Sequence, residues 1–308
     1  MKGLELAQKY YETYGAEMIR QKFSAYENRI ACGLVGEGSE CFGFDDEYSR
    51  DHDWGPSFCM WLTDEDYEET GLALEREYRA LPQCFGGFAG RVEEKYAEHR
   101  IGALRTSVFY FNYTGLKKAP ETIAEWRRIP EEFLAVATNG RIFRDDLGEF
   151  SKRRELLLDY YPEDIRLKKI AARAAVMAQS GQYNYARCIK RGEAVAAQCA
   201  LSEFIKAACS MVYLLNKKYV PYYKWAHRGM RELSILNCVY GLLSELCEEG
   251  KSAIQKTNII ENICRDVAEE LRKQGLSDSN DDFLLAQGES VLCRIKDDML
   301  SKLHIMAE

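Results

Sequence analysis

The amino-acid sequence predicts an α+β fold, in which a small mixed sheet with flanking helices is followed by an all-α helical bundle. Short β-type runs alternate with helical patterns up to about residue 150, and only helical patterns follow. A chain of 308 residues is long enough for two domains. We therefore expect one domain over residues 1–150 and a helical bundle over residues 151–308.

The front half is predicted to contain a leading helix and three strands. In chain order, the pattern indicates a helix over residues 4–29, a strand over 30–35 and a second strand from near Asp51 to Leu62. A helix that ends at Pro82 follows. The third predicted strand covers residues 104–113, which are rich in β-branched and aromatic residues. Thr63 or Asp64 is the predicted N-cap of the helix that ends at Pro82.

The back half is predicted to be helical throughout. Apolar periodicity indicates helices over residues 163–179, 185–217, 222–247, 252–274 and 281–303, with Pro162 at a first helical position. We see no internal repeat and no low-complexity segment.

Composition and charge favour a cytoplasmic globular protein. Hydrophobic residues make up 46% and charged residues 30% of the chain, and no apolar run approaches the roughly 18–20 residues that span a bilayer. The first residues lack an apolar signal core. Residues 1–150 carry 18 Lys/Arg against 28 Asp/Glu, a net charge of −10, whereas residues 151–308 carry +3. Without a strong basic stripe, a nucleic-acid partner is not expected.

The eleven cysteines do not form a disulfide or metal-binding pattern. Their number is odd, and the sequence has no CxxC pair or Cys/His ladder. Cys188, Cys199, Cys209, Cys238 and Cys247 fall beside apolar residues in helical patterns, so we expect reduced, buried thiols that act as small hydrophobic groups.

One segment carries a candidate site. Gly36-Glu37-Gly38-Ser39 forms a turn after the first strand, and Asp51-His52-Asp53 follows it. Side chains at i and i+2 of a strand point to one face, about 7 Å apart. Two such carboxylates suit Mg²⁺, which prefers oxygen ligands, and a Gly-Ser turn offers N–H groups and a hydroxyl to phosphate oxygens. The combination predicts phosphoryl or nucleotidyl transfer.

This arrangement resembles the nucleotidyltransferase fold of the DNA polymerase β superfamily, and the added helical bundle is similar to kanamycin-type antibiotic nucleotidyltransferases. Three later segments resemble the family of uncharacterised proteins grouped as DUF4037. They are Asn139-Gly140-Arg141-Ile142-Phe143-Arg144-Asp145-Asp146-Leu147-Gly148, Tyr161-Pro162-Glu163-Asp164-Ile165-Arg166 and Tyr219-Val220-Pro221-Tyr222-Tyr223-Lys224-Trp225.

The resemblance implies a role for each matching residue. Gly38 and Ser39 would hold the triphosphate of a nucleotide, and Asp51 and Asp53 would bind Mg²⁺ (or Mn²⁺) and serve as the catalytic pair. Lys224 is the best basic candidate for a phosphate contact, as a point charge near a predicted helix start. A surface lysine beside core aromatics is the alternative for Lys224.

The chain departs from the superfamily in its third carboxylate. The segment that aligns with the later core strand, Arg105-Thr106-Ser107-Val108-Phe109-Tyr110-Phe111, contains no Asp or Glu. In kanamycin-type enzymes a Glu of the helical domain acts as base, so Glu193 or Glu203 is a possible substitute, against a surface or N-cap role. Asp145 and Asp146 are expected in a turn.

Three functions therefore stay open. The first is a Mg²⁺-dependent nucleotidyltransferase that moves a nucleoside monophosphate from a nucleoside triphosphate to a hydroxyl of a small-molecule acceptor. The second is a catalytically impaired nucleotide-binding or regulatory protein, and the third is an antitoxin-like interaction protein on the same fold. No membrane partner is expected, and a homodimer is an open possibility.

Overall fold

The computed structural model describes residues 1–50, 54–91 and 100–308. The chain forms two compact units. The first contains Met1–Glu121 and Arg128–Asp159, and the second contains Thr122–Arg127 and Tyr160–Glu308. The predicted mixture of a small sheet with many helices is confirmed, and the fold class is α+β.

The first unit is built around a four-stranded mixed sheet. Its strands lie in the order β5-β2-β1-β6, where β1 is Ala31–Leu34, β2 is Cys59–Leu62, β5 is Gly102–Arg105 and β6 is Arg141–Arg144. Strand β1 pairs antiparallel with both β2 and β6, and β2 pairs parallel with β5. A separate hairpin consists of β3, Cys84–Phe85, and β4, Phe88–Ala89.

Helices surround this sheet. They are α1 (Gly3–Tyr10), α2 (Ala16–Lys22), α3 (Asp64–Asp66), α4 (Leu72–Arg79), α5 (Thr106–Thr114), α7 (Glu131–Thr138) and α8 (Glu149–Leu158), while α6 (Ile123–Arg128) belongs almost wholly to the second unit. Five-residue π-helical turns, Tyr11–Gly15 and Tyr67–Gly71, continue α1 into α2 and α3 into α4. The predicted cap at Thr63 is confirmed, because its side-chain oxygen accepts the N–H of Asp66.

The core of the first unit is aromatic and lies between the leading helix and the sheet. Phe58, which is fully buried, contacts the rings of Tyr10, Tyr11 and Tyr78 at centroid distances of 5.1–5.9 Å. Burying large aromatic side chains contributes most of the hydrophobic stabilisation in such a core. Cys32 of β1 belongs to the same core cluster, and all four residues of the strand are buried.

The second unit is a helical bundle centred on α9. Its helices are α9 (Glu163–Met177), α10 (Ala186–Lys190), α11 (Ala194–Leu215), α12 (Tyr223–Gly229), α13 (Cys238–Leu246), α14 (Ala253–Lys273), α15 (Leu284–Leu292) and α16 (Asp298–Lys302). Helix α9 packs against α11 and α15, and a π-helical segment, Ala178–Tyr185, leads from α9 into α10. Ser252 and Gln255 form a capping box at the start of α14.

Among the helices that the structure describes, Ala194–Leu215 is long and apolar enough to cross a membrane by length and composition. It includes Glu203 and Lys206, and half of its most apolar stretch is buried inside the fold. A core helix of a globular unit has the same properties, so this finding carries little weight for membrane insertion.

The structure corrects the predicted strand over residues 104–113. Strand β5 ends at Arg105, and Thr106–Thr114 is helix α5, which stops at Gly115 in a left-handed conformation. Residues with high β propensity form this helix because one face of it, with Phe109 and Tyr110, packs into the core of the unit. The segment aligned with a third catalytic strand is therefore helical.

Other boundaries are shorter than the periodicity indicates. Strand β2 begins at Cys59, not near Asp51. The long helices expected over 185–217, 222–247 and 281–303 are each interrupted, the first of them at Gly192, which has a positive φ. All eleven cysteines lie in the described residues and are free, but only Cys32, Cys41, Cys59, Cys209 and Cys264 are buried. The expectation of buried thiols was wrong for Cys188, Cys199, Cys238 and Cys247.

Candidate functional site

The turn after β1 depends on two glycines with unusual backbone angles. Gly36 has φ +130° and Gly38 has φ +122°, a region that side-chain-bearing residues rarely adopt. A Cβ on Gly38 would lie 2.6 Å from both carboxylate oxygens of Glu40. Glycine is therefore favoured at residue 38 by conformation, and a Cβ there would also have to displace the buried Glu40 carboxylate.

Asn139, which lies between α7 and β6, holds this turn. The Gly36 N–H donates to Asn139 Oδ1 at 3.0 Å, and Asn139 Nδ2 donates to the Gly36 carbonyl at 2.8 Å. Arg154 Nη2 donates to the carbonyls of Thr138 and Asn139, at 2.7 and 3.0 Å. The end of α7 is thus connected to the Gly36–Ser39 turn through one amide side chain.

Gly140 brings the two segments into direct backbone contact. Its N–H donates to the Cys41 carbonyl at 2.8 Å, and its φ is +66°. A Cβ on Gly140 would lie 2.0 Å from the Leu34 carbonyl oxygen, so no larger residue fits without moving β1. The Asn139-Gly140 pair therefore has a defined structural role as the support of the turn.

The turn presents backbone donors. The N–H groups of Gly38 and Ser39 make no hydrogen bond to any residue that the structure describes. The Ser39 carbonyl accepts the N–H groups of Phe42 and Phe44, at 3.2 and 2.9 Å, which folds the following residues into a 3₁₀ turn. Successive free N–H groups in a glycine-containing turn form a concave site suited to phosphate oxygens.

A buried ion pair lies directly behind the turn. Glu40 is 4% exposed, and its Oε1 accepts from Arg91 Nη1 at 3.1 Å. The Arg91 side chain is 2% exposed, and its Nη2 has no hydrogen-bond partner among the described residues. Buried charges are tolerated when they are paired, so each of these two residues depends on the other.

Asp45 joins the start of α1 to Trp54. Its Oδ2 accepts the Gly3 N–H at 2.9 Å and the Trp54 indole N–H at 3.3 Å, and Lys2 Nζ lies 3.6 Å from Oδ1. Asp45 thereby satisfies an N–H at the start of α1. Trp54 immediately follows the Asp51-His52-Asp53 motif in the sequence.

Arg50, on the other side of the motif, is also held by contacts. Its guanidinium lies 4.9 Å from the Trp54 ring centroid and 5.4 Å from that of Phe88. These are cation–π distances. The residues that flank Asp51 and Asp53 therefore both contact the first unit, whereas Asp51 and Asp53 lie outside the described residues.

Of the predicted site residues, Gly38 and Ser39 lie together on the turn. Lys224 belongs to the second unit, in the first turn of α12, where its side chain is exposed and its Nζ is 5.1 Å from the Trp225 ring centroid. Among the described residues, no group of three or more His, Cys, Asp or Glu side chains is arranged to hold a metal ion. The prediction of magnesium binding thus rests on the two aspartates of the motif.

The alternative acidic residues have other contacts. Glu203 pairs with Lys206 at 3.1 Å on the exposed side of α11, and Glu193 is exposed at the start of that helix. Asp145 accepts the N–H groups of Gly148 and Ser151, at 2.8 and 2.7 Å, and so caps α8. Asp146 pairs with Arg144 at 2.5 Å, and the expected turn role of the Asp145-Asp146 segment is confirmed.

A cleft of about 510 Å³ opens beside the turn. It is lined by the end of β1, by β5 and by residues of α5 and α7: Val35, Gly36, Glu37, Tyr67, Arg100, Ala103, Leu104, Arg105, Val108, Phe109, Asn112, Tyr113 and Phe133. Burial raises the pKa of the Tyr113 hydroxyl, and the nearby Glu37 carboxylate raises it further. The cleft therefore has a neutral tyrosine beside the turn at physiological pH.

Sequence reasoning missed several residues of this site. Glu40, Asp45 and Arg91 are single charged residues in polar segments, and no local pattern distinguishes them from solvated surface residues. Asn139 was expected only as a turn residue, although its segment carries the DUF4037 resemblance. That resemblance was the one available signal that the Asn139-Gly140 pair matters.

Comparisons with known proteins are consistent with part of this description. Residues 126–226 match the family model described as a domain of unknown function, DUF4037, which covers less than half of the chain. Among curated proteins there is no significant match. A nucleotidyltransferase-like protein from Exiguobacterium sibiricum 255-15 is 11% identical, with 91% of this chain and 90% of that chain covered, at a TM-score of 0.36. A likeness at that level does not establish a shared fold. The family match is more informative: the chain is similar to DUF4037 proteins in the segment that begins just before α7 and includes Asn139, α9 and α11.

Proposed function

We propose that this protein is a Mg²⁺-dependent nucleotidyltransferase, which moves a nucleoside monophosphate from a nucleoside triphosphate to a hydroxyl group of a small molecule. The observation that carries the proposal is the turn after β1. Its two glycines have positive φ, and the N–H groups of Gly38 and Ser39 face no acceptor in the described part of the chain. Asp51 and Asp53 follow this turn in the sequence.

The protein's own residues supply three parts of the chemistry. The N–H groups of Gly38 and Ser39 and the Ser39 hydroxyl hold phosphate oxygens. Asp51 and Asp53 hold Mg²⁺ or Mn²⁺, and a bound ion of this kind neutralises phosphate charge and orients the attacking hydroxyl. Lys224 of the second unit is the proposed additional phosphate contact. Phosphoryl chemistry needs mostly positioning and charge stabilisation, so a small set of residues is sufficient.

A transfer assay tests the proposal. The protein is incubated with Mg²⁺, each α-labelled nucleoside triphosphate and a panel of hydroxyl-bearing small molecules, and both the transfer of label to the acceptor and the release of unlabelled pyrophosphate are followed. We expect Asp51→Asn and Asp53→Asn to abolish release. Asp46→Asn is the matched control, because Asp46 Oδ1 accepts the N–H groups of Tyr48 and Ser49 and an asparagine oxygen can do the same.

One observation favours the second candidate function, a nucleotide-binding protein without turnover. The segment aligned with the third catalytic strand is almost wholly helix α5 and carries no acidic residue. Under this alternative the protein binds nucleotide but releases no pyrophosphate with any acceptor. Absence of nucleotide binding would contradict both candidates and favour the interaction protein.

A further inference from the structure

We propose that the cleft beside the turn, which is lined by Gly36, Tyr67, Asn112, Tyr113 and Phe133, binds the base of the nucleotide as a neutral, flat heteroaromatic ring. This inference rests on the proposed nucleotide substrate, but it concerns a different group of that substrate and a different set of residues. A cleft of about 510 Å³ is within the size range of small-molecule sites.

The position of the cleft connects it to the proposed phosphate site. Val35, Gly36 and Glu37 line the cleft, and Gly38 and Ser39 follow them directly. A Cβ on Gly36 would lie at contact distance from two residues that line the cleft, 3.5 Å from the Tyr113 hydroxyl and 3.8 Å from Phe109 Cε2, so the turn lies directly against the cleft wall. One nucleotide can therefore contact both the cleft and the turn.

The walls of the cleft suit a flat ring. Phe133 is 41% exposed and Val108 is 43% exposed, although both are large apolar side chains. The Phe133 ring centroid lies 6.4 Å from that of Tyr113, which in turn lies 5.2 Å from Phe109. Exposed aromatic faces bind bases by stacking. Phe133 is the face that remains available to a ligand.

The charges of the cleft favour a neutral group over a phosphate. Arg100 pairs with Glu37 at 2.5 Å, and Arg105 pairs with Glu68 at 2.6 Å while its guanidinium stacks 4.4 Å from the Tyr67 centroid. Both arginines of the cleft thus have a carboxylate partner. A triphosphate gains little from arginines that are already neutralised, whereas an uncharged ring pays no electrostatic cost there.

The polar groups of the cleft can read the edge of a base. The Asn112 side chain is exposed and makes no hydrogen bond to any residue in the described ranges. Its amide offers donors and an acceptor side by side, which is the pattern that matches the edge of a nucleobase. We therefore assign stacking to Phe133 and base selection to Asn112.

The test is the binding of nucleosides, which lack phosphate, in metal-free buffer. Adenosine, guanosine, cytidine and uridine are titrated by NMR into the full-length protein and into Phe133→Ala, Asn112→Ala and Phe111→Ala. Phe111 is the matched control, because it is a phenylalanine of α5 that is 48% exposed and is not part of the cleft lining. Inorganic triphosphate, which mimics the phosphates that are proposed to bind at the turn, is added as a competitor of nucleoside binding.

We expect at least one nucleoside to bind, Phe133→Ala to weaken that binding about fivefold or more, and Phe111→Ala to leave it unchanged. Asn112→Ala should reduce the preference among the four bases. Binding that Phe133→Ala does not weaken, or no nucleoside binding at millimolar concentration, would overturn the inference. Nucleoside binding without transfer would instead contradict the proposed enzyme function, so the two failures are distinguishable.

Discussion

Asn139 and Gly36 are 103 positions apart in the sequence, yet the Asn139 amide satisfies both the N–H and the carbonyl of Gly36, at 3.0 and 2.8 Å. This pair links the C-terminal end of α7 to the turn that leaves β1. It explains why an Asn-Gly dipeptide far from the Gly-Ser segment belongs to the same site. Residue 139 falls within the part of the chain that matches DUF4037.

Asn139→Ala should therefore weaken the fold and the proposed nucleotide site together. Losing the amide leaves the half-buried Gly36 N–H and carbonyl without their partner, which costs about 1–3 kcal/mol of unfolding free energy. Urea unfolding measures this cost. The control, Asn262→Ala, alters an exposed contact to Arg265 and should change stability by no more than about 0.5 kcal/mol. Equal effects of the two substitutions would contradict the role of Asn139.

Gly38→Ala should be more harmful than Gly43→Ala. Both glycines have positive φ, so an alanine is strained at either residue by about 1–3 kcal/mol. At Gly43 nothing lies within 4 Å of the added Cβ, whereas at Gly38 the Glu40 carboxylate lies 2.6 Å away. The difference in unfolding free energy between the two variants reports this collision. If Gly43→Ala were the more destabilised variant, the described geometry of the turn would be wrong.

The pair of Glu40 and Arg91 should show strong coupling. Arg91→Met leaves the Glu40 carboxylate buried without this partner, and breaking a buried ion pair in this way costs about 3–5 kcal/mol. The double variant Glu40→Gln with Arg91→Met should recover part of that loss, since it removes both charges. In contrast, Lys9→Met breaks an exposed pair with Glu5 at 2.7 Å and should cost at most about 1 kcal/mol. If the changes in unfolding free energy caused by Glu40→Gln and Arg91→Met were additive in the double variant, the coupling would be refuted.

Stability should fall as the pH rises above about 9. Burial raises the pKa of Cys32 from 9.0 to about 12, so the unfolded chain loses this proton at a lower pH than the folded chain does. The contribution of the protonated Cys32 thiol to the free energy of unfolding is fully present below pH 9. It is lost between pH 9 and 12, with a slope of up to about 1.4 kcal/mol per pH unit. Unfolding from pH 8 to 11 should show a shallower slope for Cys32→Ala. The exposed Cys84→Ala should keep the original slope, and an unchanged slope in Cys32→Ala would contradict the assignment.

Local patterns predicted the elements that local interactions determine. The leading helix, the short buried strand, the Gly-Ser turn and the cap at Thr63 all follow from periodicity, glycine and capping chemistry. Helix α5 could not be predicted in this way, because its Thr106–Phe111 segment has strand-like composition and only its packing in the first unit makes it helical. The intrinsic β propensity of a segment is a weak predictor of its secondary structure where the burial of its side chains determines the conformation.

The candidate site was predictable in one part only. Gly38 and Ser39 were identified from the turn motif, but the partners that shape the turn are remote in sequence. Arg91 is 51 positions from Glu40, and Asn139 is 103 positions from Gly36. Contacts at such separations leave no periodic signal, so a single sequence does not reveal them. The roles of Gly38, Ser39, Asp51, Asp53 and Lys224 all remain predictions.

The affinity for ATP, with and without Mg²⁺, tests the central claim most directly, because it measures whether the turn and the aspartate pair form one nucleotide–metal site. Calorimetry compares the full-length protein with Asp51→Asn and with the control Asp46→Asn. We predict that Mg²⁺ strengthens ATP binding by the wild-type protein and by Asp46→Asn, and that Asp51→Asn loses this enhancement. ATP binding that is absent, or that responds to Mg²⁺ equally in Asp51→Asn, would contradict the account.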